Sequence, residues 1–454
     1  MTRTDAARSP ARVAVVGGGW AGCAAAIALA DAGERVTLYE AAPLLGGRAR
    51  TVERDGFALD NGQHLMLGAY DATLRLVARL HPQTTPLTRR PLALSPLSPA
   101  QPDAIALHAG AGAATGLALG LLRTRGLTLA ERLGMLRALA AWKHGRFTCD
   151  PAWSVDTLLA SMPGKAVRGL WAPLCIAALN TPPRQASAQV FLNVLAAAFG
   201  RPHAADLVLP TGSLGAFLPD AAARVLAAAG HAVARATTAR VVDATANQVA
   251  VDTGDAVVPF DAAIVAVAPH QLARTLAVAP PPDGLDAALR AVAGYAYQSI
   301  TTVYLGYCGT RVPLPGGLVR LDDSPGQWLF EREDIRLAAT ADAVAVDQLL
   351  AVVISTSGPH DELAQSDLVS RCDAQLRRAG HPWPRLAWSR VIAERRATYA
   401  CVPGITHPPI RLAHRLYLAG DYAYPAFPAT LEAAVRSGQA AAAAWGDDRT
   451  RVSP

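Results

Sequence analysis

Gly17-Gly-Gly19-Trp20-Ala21-Gly22 forms a G-x-G-x-x-G turn, the spacing that brings a backbone up against a diphosphate. Gly17 permits the tight turn, Gly19 keeps side chains away from a pyrophosphate, and Gly22 lets a helix pack closely on a sheet. The N-terminus of that helix offers unpaired N–H groups and the positive end of its dipole. Glu40 lies 18 residues beyond Gly22, where a carboxylate holds ribose hydroxyls and repels a 2′-phosphate. Leu45-Gly46-Gly47-Arg48 follows, with glycines for backbone contact and a guanidinium to neutralise a diphosphate. Further on, Leu416–Ala419 reads as a strand entering Gly420-Asp421, whose carboxylate suits a ribitol hydroxyl. A helix starting near Ala429-Thr430-Leu431-Glu432 would aim its N-terminus at a flavin pyrimidine and stabilise the negative charge of the reduced ring. The set points to FAD and not FMN, which has no adenosine for Glu40 to hold. The plain alternatives are a ligand-free βαβ turn and a solvated Arg48. With one fingerprint only, no second domain for bound NAD(P)H is evident.

The elements that must position these residues read as an α/β chain. Arg12–Val16 is a buried strand, Gly22–Ala32 a helix ended by Gly33, and Val36–Glu40 a second strand, a βαβ opening. Leu127–Lys143 and Ala188–Phe199 read as helices among Pro-rich loops. Arg240–Val242, Gln248–Asp252 and Ala256–Pro259 read as a meander, followed by the apolar run Ala262–Val267. Ile300–Tyr307 and Leu349–Ser355 read as strands, with a helix near 366–379. The expected architecture is a Rossmann-like FAD-binding domain (1–74, 205–290 and 396–454) interleaved with an α+β substrate domain (75–204 and 291–395).

Composition narrows the classes. A chain of 454 residues with 17% charged and 51% hydrophobic residues has apolar surface to spare for a large core. Six scattered cysteines without a CxxC pair read as reduced thiols of a cytoplasmic protein, and no histidine spacing suggests a metal. Lys143 and Lys165 are the only lysines among 42 basic residues, an arginine bias that suggests a GC-rich bacterial genome. Between Ala104 and Cys149 six basic residues face one acid, a net +5 within a chain of net +6. That tract lacks interleaved aromatics, which argues against nucleic acid. Val13–Ala30 is uncharged but carries turn glycines, and the uncharged Ala104–Leu122 contains four glycines, so neither reads as a membrane span.

Asp60-Asn-Gly-Gln-His64, Pro173-Leu-Cys-Ile-Ala-Ala-Leu-Asn180-Thr-Pro-Pro, Arg396-Ala-Thr398 and Ala419-Gly-Asp421…Pro428-Ala-Thr-Leu-Glu432…Ala434-Val-Arg-Ser-Gly438 together resemble the FAD-dependent hydroxysqualene dehydroxylases. These belong to the flavin amine oxidase and carotenoid desaturase superfamily, and the likeness runs from about residue 12 to 445. The resemblance implies reduction of hydroxysqualene to squalene at the expense of reduced flavin. It implies FAD contacts along Gly17–Gly22, at Glu40, Gly46, Gly47 and Arg48, at Gly62, Gln63 and His64, and at Gly420, Asp421, Thr430 and Leu431. Val241 falls where the superfamily meets adenine with a backbone group. A C30 isoprenoid lipid is the implied substrate, with other squalene-pathway enzymes as partners. One stretch departs from the family: Tyr422-Ala-Tyr424-Pro-Ala-Phe427 replaces an expected Trp and a Thr- and Gly-containing loop, and Ala433 replaces a glycine.

Proton-donor candidates are His64, beside the Gly62 contact, and Tyr424, in the loop after Asp421. A structural role in the core competes for each. Tyr399, Tyr422 and Phe427 either wall a substrate tunnel or are ordinary core aromatics. Cys175 and Asn180 match the family signature without a mechanism that needs them. Amine oxidases place a lysine near the flavin late in the chain, and neither lysine here lies there. A polyene desaturase is therefore the main rival, and a non-catalytic lipid-escort protein the reading outside enzymes. A lipid substrate and the basic, leucine-rich stretch 104–146 lead to an expectation of peripheral attachment to the cytoplasmic face of the inner membrane.

Overall fold

Val13–Val16 carries apolar side chains on both faces, the pattern of a strand covered on both sides. It lies third in a six-stranded sheet ordered Ala232–Ala234, Arg35–Tyr39, Arg12–Val16, Ala262–Val265, Leu416–Leu418 and Arg411–Ala413. All neighbours are parallel except the last pair. The computed structural model describes residues 9–332 and 345–451, apart from 102, 111, 112, 279, 280 and 317. We label Arg12–Val16 β1, the helix Trp20–Asp31 α1 and Arg35–Tyr39 β2. Helix α1 starts two residues before the expected Gly22, because extended Gly19 serves as its N-cap. Trp20, Ala21 and Gly22 thus form its first turn.

The helix Leu431–Arg451 crosses α1 at close range. A Cβ on Gly438 would come within 2.2 Å of the Ala21 carbonyl oxygen, so the glycine permits this approach. The antiparallel meander is present as Arg240–Ala244, Val249–Asp252 and Val257–Phe260.

A second, seven-stranded sheet runs Arg385–Tyr399, Tyr297–Cys308, Gln348–Ser355, Trp328–Glu331, Leu318–Arg320, Ala93–Pro96 and Leu107–His108. Every residue of Gln348–Ser355 is buried. Arg385–Tyr399 continues unbroken across the expected boundary at 395/396. Helix Ala188–Phe199 begins and ends where the sequence suggests, with the Ser187 hydroxyl accepting the Val190 N–H at 3.4 Å. Helix Leu129–His144 is opened by a capping box between Thr128 and Glu131 and lies beside Ala113–Leu122. Among the described residues no helix is long and apolar enough to cross a membrane.

Candidate active site

The glycine turn is built as its spacing predicts. Gly17 adopts φ +110° and donates its N–H to Tyr39 O at 2.8 Å, joining β1 to β2. A Cβ at Gly22 would lie 1.8 Å from the Gly17 carbonyl oxygen. At Gly19 the nearest atom to an added Cβ is Gly47 Cα, at 4.0 Å. The Gly46 N–H donates to Gly18 O at 2.8 Å, so two glycine turns meet along a groove without side chains. Glu40 Oε2 accepts the Gly18 N–H at 2.7 Å and Oε1 the Ala42 N–H at 2.8 Å. These bonds aim the carboxylate along the groove, and each oxygen keeps acceptor capacity for a hydroxyl.

Arg48 joins three segments. It pairs with the Asp421 carboxylate and donates to Ala397 O at 2.9 Å. Burial lowers the basicity of its guanidinium, yet Asp421 more than offsets this and the net shift is upward. Gly420 is pinned by its N–H to Ser437 Oγ at 2.9 Å. Thr430 Oγ1 accepts the Ala433 N–H at 3.1 Å, capping the helix Leu431–Arg451 at the cavity wall. Glu432 faces away from that role: it accepts the Ala72 and Thr73 N–H groups and the Arg436 guanidinium, tying two helices together.

Past the second glycine turn, Asp60 takes the Thr51 hydroxyl at 2.7 Å, the Leu214 N–H at 3.0 Å and Arg332 at 3.2 Å. Arg332 also donates to Gln63 Oε1 at 2.7 Å, and Gln63 Nε2 to the Tyr304 hydroxyl at 3.0 Å. This network holds Gly62–His64 in place. His64 Nδ1 lies 3.0 Å from Gly62 O, a bond the imidazole makes as donor. Burial pushes the His64 imidazole below its usual range, so the neutral form is favoured and Nε2 carries the lone pair.

These groups open onto one cavity of about 1120 Å³. One end is the glycine groove. The other is apolar, walled by Phe191, Val194, Leu195 and Ala198 at helical spacing and by Ile300, Trp328 and Val353 from the second sheet. Gly17, Gly19, Trp20, Ala21, Glu40, Gly46, Gly47, Arg48, Gly62, Gln63, His64, Gly420, Asp421, Thr430 and Leu431 all line it, as do Asn180 and Phe427. Gly22 lies behind the turn it permits.

Five other candidates sit elsewhere. Val241 is fully buried and its carbonyl accepts the Ala277 N–H at 2.9 Å; Ala239 and Arg240 line the cavity instead. Tyr424 stacks on Phe427 with ring centroids 6.3 Å apart, and the Arg436 guanidinium lies 5.8 Å from its centroid. Those contacts hold it outside the lining. Tyr422 is buried with its hydroxyl on Val267 O at 3.0 Å, and Tyr399 stacks on Tyr295 at 4.8 Å. Burial raises both phenol pKa values. Cys175 is fully buried with its thiol near Thr181 O, and burial pushes that thiol up, which removes nucleophilic character. Asn180 lines the cavity but is occupied structurally, bonding Ser299 O, the Thr398 hydroxyl and the Thr356 N–H.

Sequence reasoning missed Glu394 and His270, both in the lining. Glu394 Oε2 accepts Asn61 Nδ2 at 3.0 Å. Its only signal was position, on a strand whose Ile300 partner also faces the cavity.

The flavin containing amine oxidoreductase family matches residues 20–444. This chain belongs to that family. It is thus a flavin-dependent oxidoreductase with an amine oxidase-like fold. The groove fits the cofactor class: a Cβ-free cradle, a helix N-terminus, Arg48 and two carboxylates line the one cavity. A hydroxysqualene dehydroxylase of Rhodopseudomonas palustris is 29% identical over 95% of this chain and 97% of its own. A zeta-carotene desaturase of Synechocystis is 41% identical, but over only 15% of this chain and 14% of its own. Among solved structures, cyclohexylamine oxidase from Brevibacterium oxydans superposes with TM-score 0.69 at 16% identity, covering 97% of this chain and 100% of that one.

Proposed function

We propose that the protein binds FAD and reductively removes the hydroxyl of hydroxysqualene, giving squalene and water. The observation that carries this reading is the end-to-end likeness to a hydroxysqualene dehydroxylase, set beside a desaturase likeness confined to 15% of the chain. Reduced FAD would supply two electrons and a hydrogen to the carbon that loses its hydroxyl. The chain's part is to bind, orient and exclude water. Glu40 takes the ribose, the glycine turns and α1 take the diphosphate, and Arg48 and Asp421 divide the charge at the flavin end. In this reading segments 1–74, 205–290 and 396–454 carry the cofactor, while 75–204 and 291–395 carry the lipid. The Phe191–Ala198 face and the second sheet give the lipid a dry wall, which protects an allylic cation from recapture.

Anaerobic, photoreduced enzyme mixed with hydroxysqualene should yield squalene with stoichiometric flavin oxidation, while the oxidised enzyme does nothing. Bleaching of the oxidised form by phytoene or squalene, with a more unsaturated product, would instead establish the desaturase.

Departure of hydroxide needs a proton, and general-acid assistance commonly contributes about 10²–10⁴ in rate. Tyr424 lies outside the lining, so Tyr424→Phe should change turnover by no more than about twofold. His64 Nε2 carries a lone pair and can pass a proton to the substrate only after taking one up from solvent. Turnover should therefore rise as pH falls through the lowered imidazole range, and His64→Gln should retain flavin, lose that rise and slow single turnover by about 10² or more. A fall confined to flavin affinity would reduce His64 to a structural role.

The membrane is part of the same reading. Leu119, Leu122, Leu129 and Leu133 are 38–65% exposed on the paired helices of the basic stretch. Anionic vesicles should sediment the protein more strongly than neutral ones, by about 1 kcal/mol for each basic residue near the surface, and salt should erase the difference. Equal, salt-insensitive partitioning would remove the electrostatic attachment, and with it the cytoplasmic membrane face as the enzyme's place.

A further inference from the structure

A second void, of about 10 Å³, lies against the large cavity. Leu92, Ala198, Phe199 and Ala205 line both spaces and so form the partition between them. On the outer side the void reaches Gly110, Arg201 and His203, all exposed, and its roof is Leu117 from the helix Ala113–Leu122. A route from solvent to the apolar end of the cavity is thus interrupted by four small or flexible residues.

The frame around this partition is held firmly. Arg201 donates to Gly68 O at 2.9 Å and pairs with Asp71, and His203 Nδ1 meets Asp206 Oδ2 at 3.0 Å. Gly68 sits so close that a Cβ would lie 1.9 Å from His203 O. The roof helix is seated by Gly116 and Gly120, where added Cβ atoms would fall 2.6 Å from Gly110 O and His108 O. Backbone displacement would therefore disrupt several contacts at once. Phe199 is different: it is the last residue of its helix, it is half-buried, and Gly200 follows it. Its ring is the part of the partition whose rotation leaves the contacts of the frame intact.

Outside, the roof helix carries no charge and exposes Leu119 and Leu122, next to exposed Arg123 and Arg125. An apolar patch rimmed by cations matches an anionic bilayer surface in both charge and hydrophobicity. We propose that the small void is the vestibule of a membrane-facing entrance for long isoprenoid chains, with the Phe199 ring as its gate. This deepens the proposed function and rests on it for the substrate class.

The test is uptake, which needs no turnover. A fluorescent polyene is presented in phosphatidylglycerol vesicles to the oxidised holoenzyme, and energy transfer to the flavin reports its arrival. Phe199→Ala should raise the uptake rate several-fold, to about threefold or more, and Phe199→Trp should lower it about tenfold. Because Phe199 also lines the large cavity, affinity for the same probe in detergent is measured in parallel, and a gate reads as a change in uptake rate larger than the change in affinity. Leu117→Trp, which fills the vestibule from the roof, should slow uptake as Phe199→Trp does. Uptake within twofold of the parent in both Phe199 variants would overturn the gate. Gate effects that persist in an enzyme unable to reduce hydroxysqualene would discard the substrate and keep the entrance. Normal reduction with no gate effect would do the reverse.

Discussion

Gly19→Val should give a protein that folds as its parent does and takes up no flavin, whereas Gly22→Val should fail to fold. Both glycines belong to one motif, yet their surroundings differ. At Gly19 the backbone is already in a region open to any residue, with φ −72°, and an added Cβ meets nothing closer than Gly47 Cα at 4.0 Å. The space a valine would fill is the groove itself, so the cost falls on the diphosphate and not on the protein. At Gly22 the same atom would sit 1.8 Å from the Gly17 carbonyl and 3.3 Å from Ala266 Cβ. Ordinary overpacking costs about 1–3 kcal/mol, and a collision with backbone oxygen at that distance exceeds what small shifts relieve. Thermal melts of the flavin-free proteins and visible absorbance after reconstitution separate the two effects. A yellow Gly19→Val protein would remove the groove from the cofactor site.

Glu432→Ala should destabilise the protein by about 3–5 kcal/mol and loosen flavin as well. The carboxylate is 1% exposed and accepts the Ala72 N–H at 3.0 Å, the Thr73 N–H at 2.9 Å, the Thr73 hydroxyl at 2.8 Å and Arg436 at 2.7 Å. Ala72 and Thr73 lie in the first turn of Asp71–Leu80, whose N–H groups have no partner within the helix. Alanine would leave those donors and the half-buried Arg436 unsatisfied together. Glu432 also lies in the first turn of the helix that Thr430 caps beside the cavity, so the loss carries over to the flavin wall. Denaturant midpoints measure the first effect and flavin titration the second. A loss below 1 kcal/mol with unchanged flavin affinity would show that the two helix ends hold each other without this carboxylate.

The cofactor half of the site was legible because its chemistry demands particular residue types. Close backbone approach demands glycine, and charge neutralisation demands Arg48 and acids at strand ends. Val241 does not itself line the cavity, where its neighbours Ala239 and Arg240 do, and a contact made through backbone carries no side-chain signature that would fix it to one residue. The substrate half was harder to read. Phe191, Val194, Leu195 and Ala198 recur at helical spacing, but a face turned to a cavity reads like one turned to a core. Tyr424 was placed by its neighbours in sequence, whereas in the fold it stacks on Phe427 under Arg436, outside the cavity lining. The second sheet pairs Ala93–Pro96 in parallel with Leu318–Arg320, a long-range contact that no local pattern announces.

Arg48 and Asp421 meet across 373 residues of chain. At ribosomal elongation of about 5–20 residues per second, roughly 20–75 s separate the synthesis of the two. Through that interval β1, α1 and β2 exist without the Leu416–Leu418 strand, the Gly438 crossing or the capped helix end. Flavin loading should therefore be a late event in this protein's birth, completed only once residues 411–451 have emerged. A chain truncated before residue 411 should therefore be colourless, and visible colour on the finished protein would also record that translation ran to the end of the nucleotide sheet.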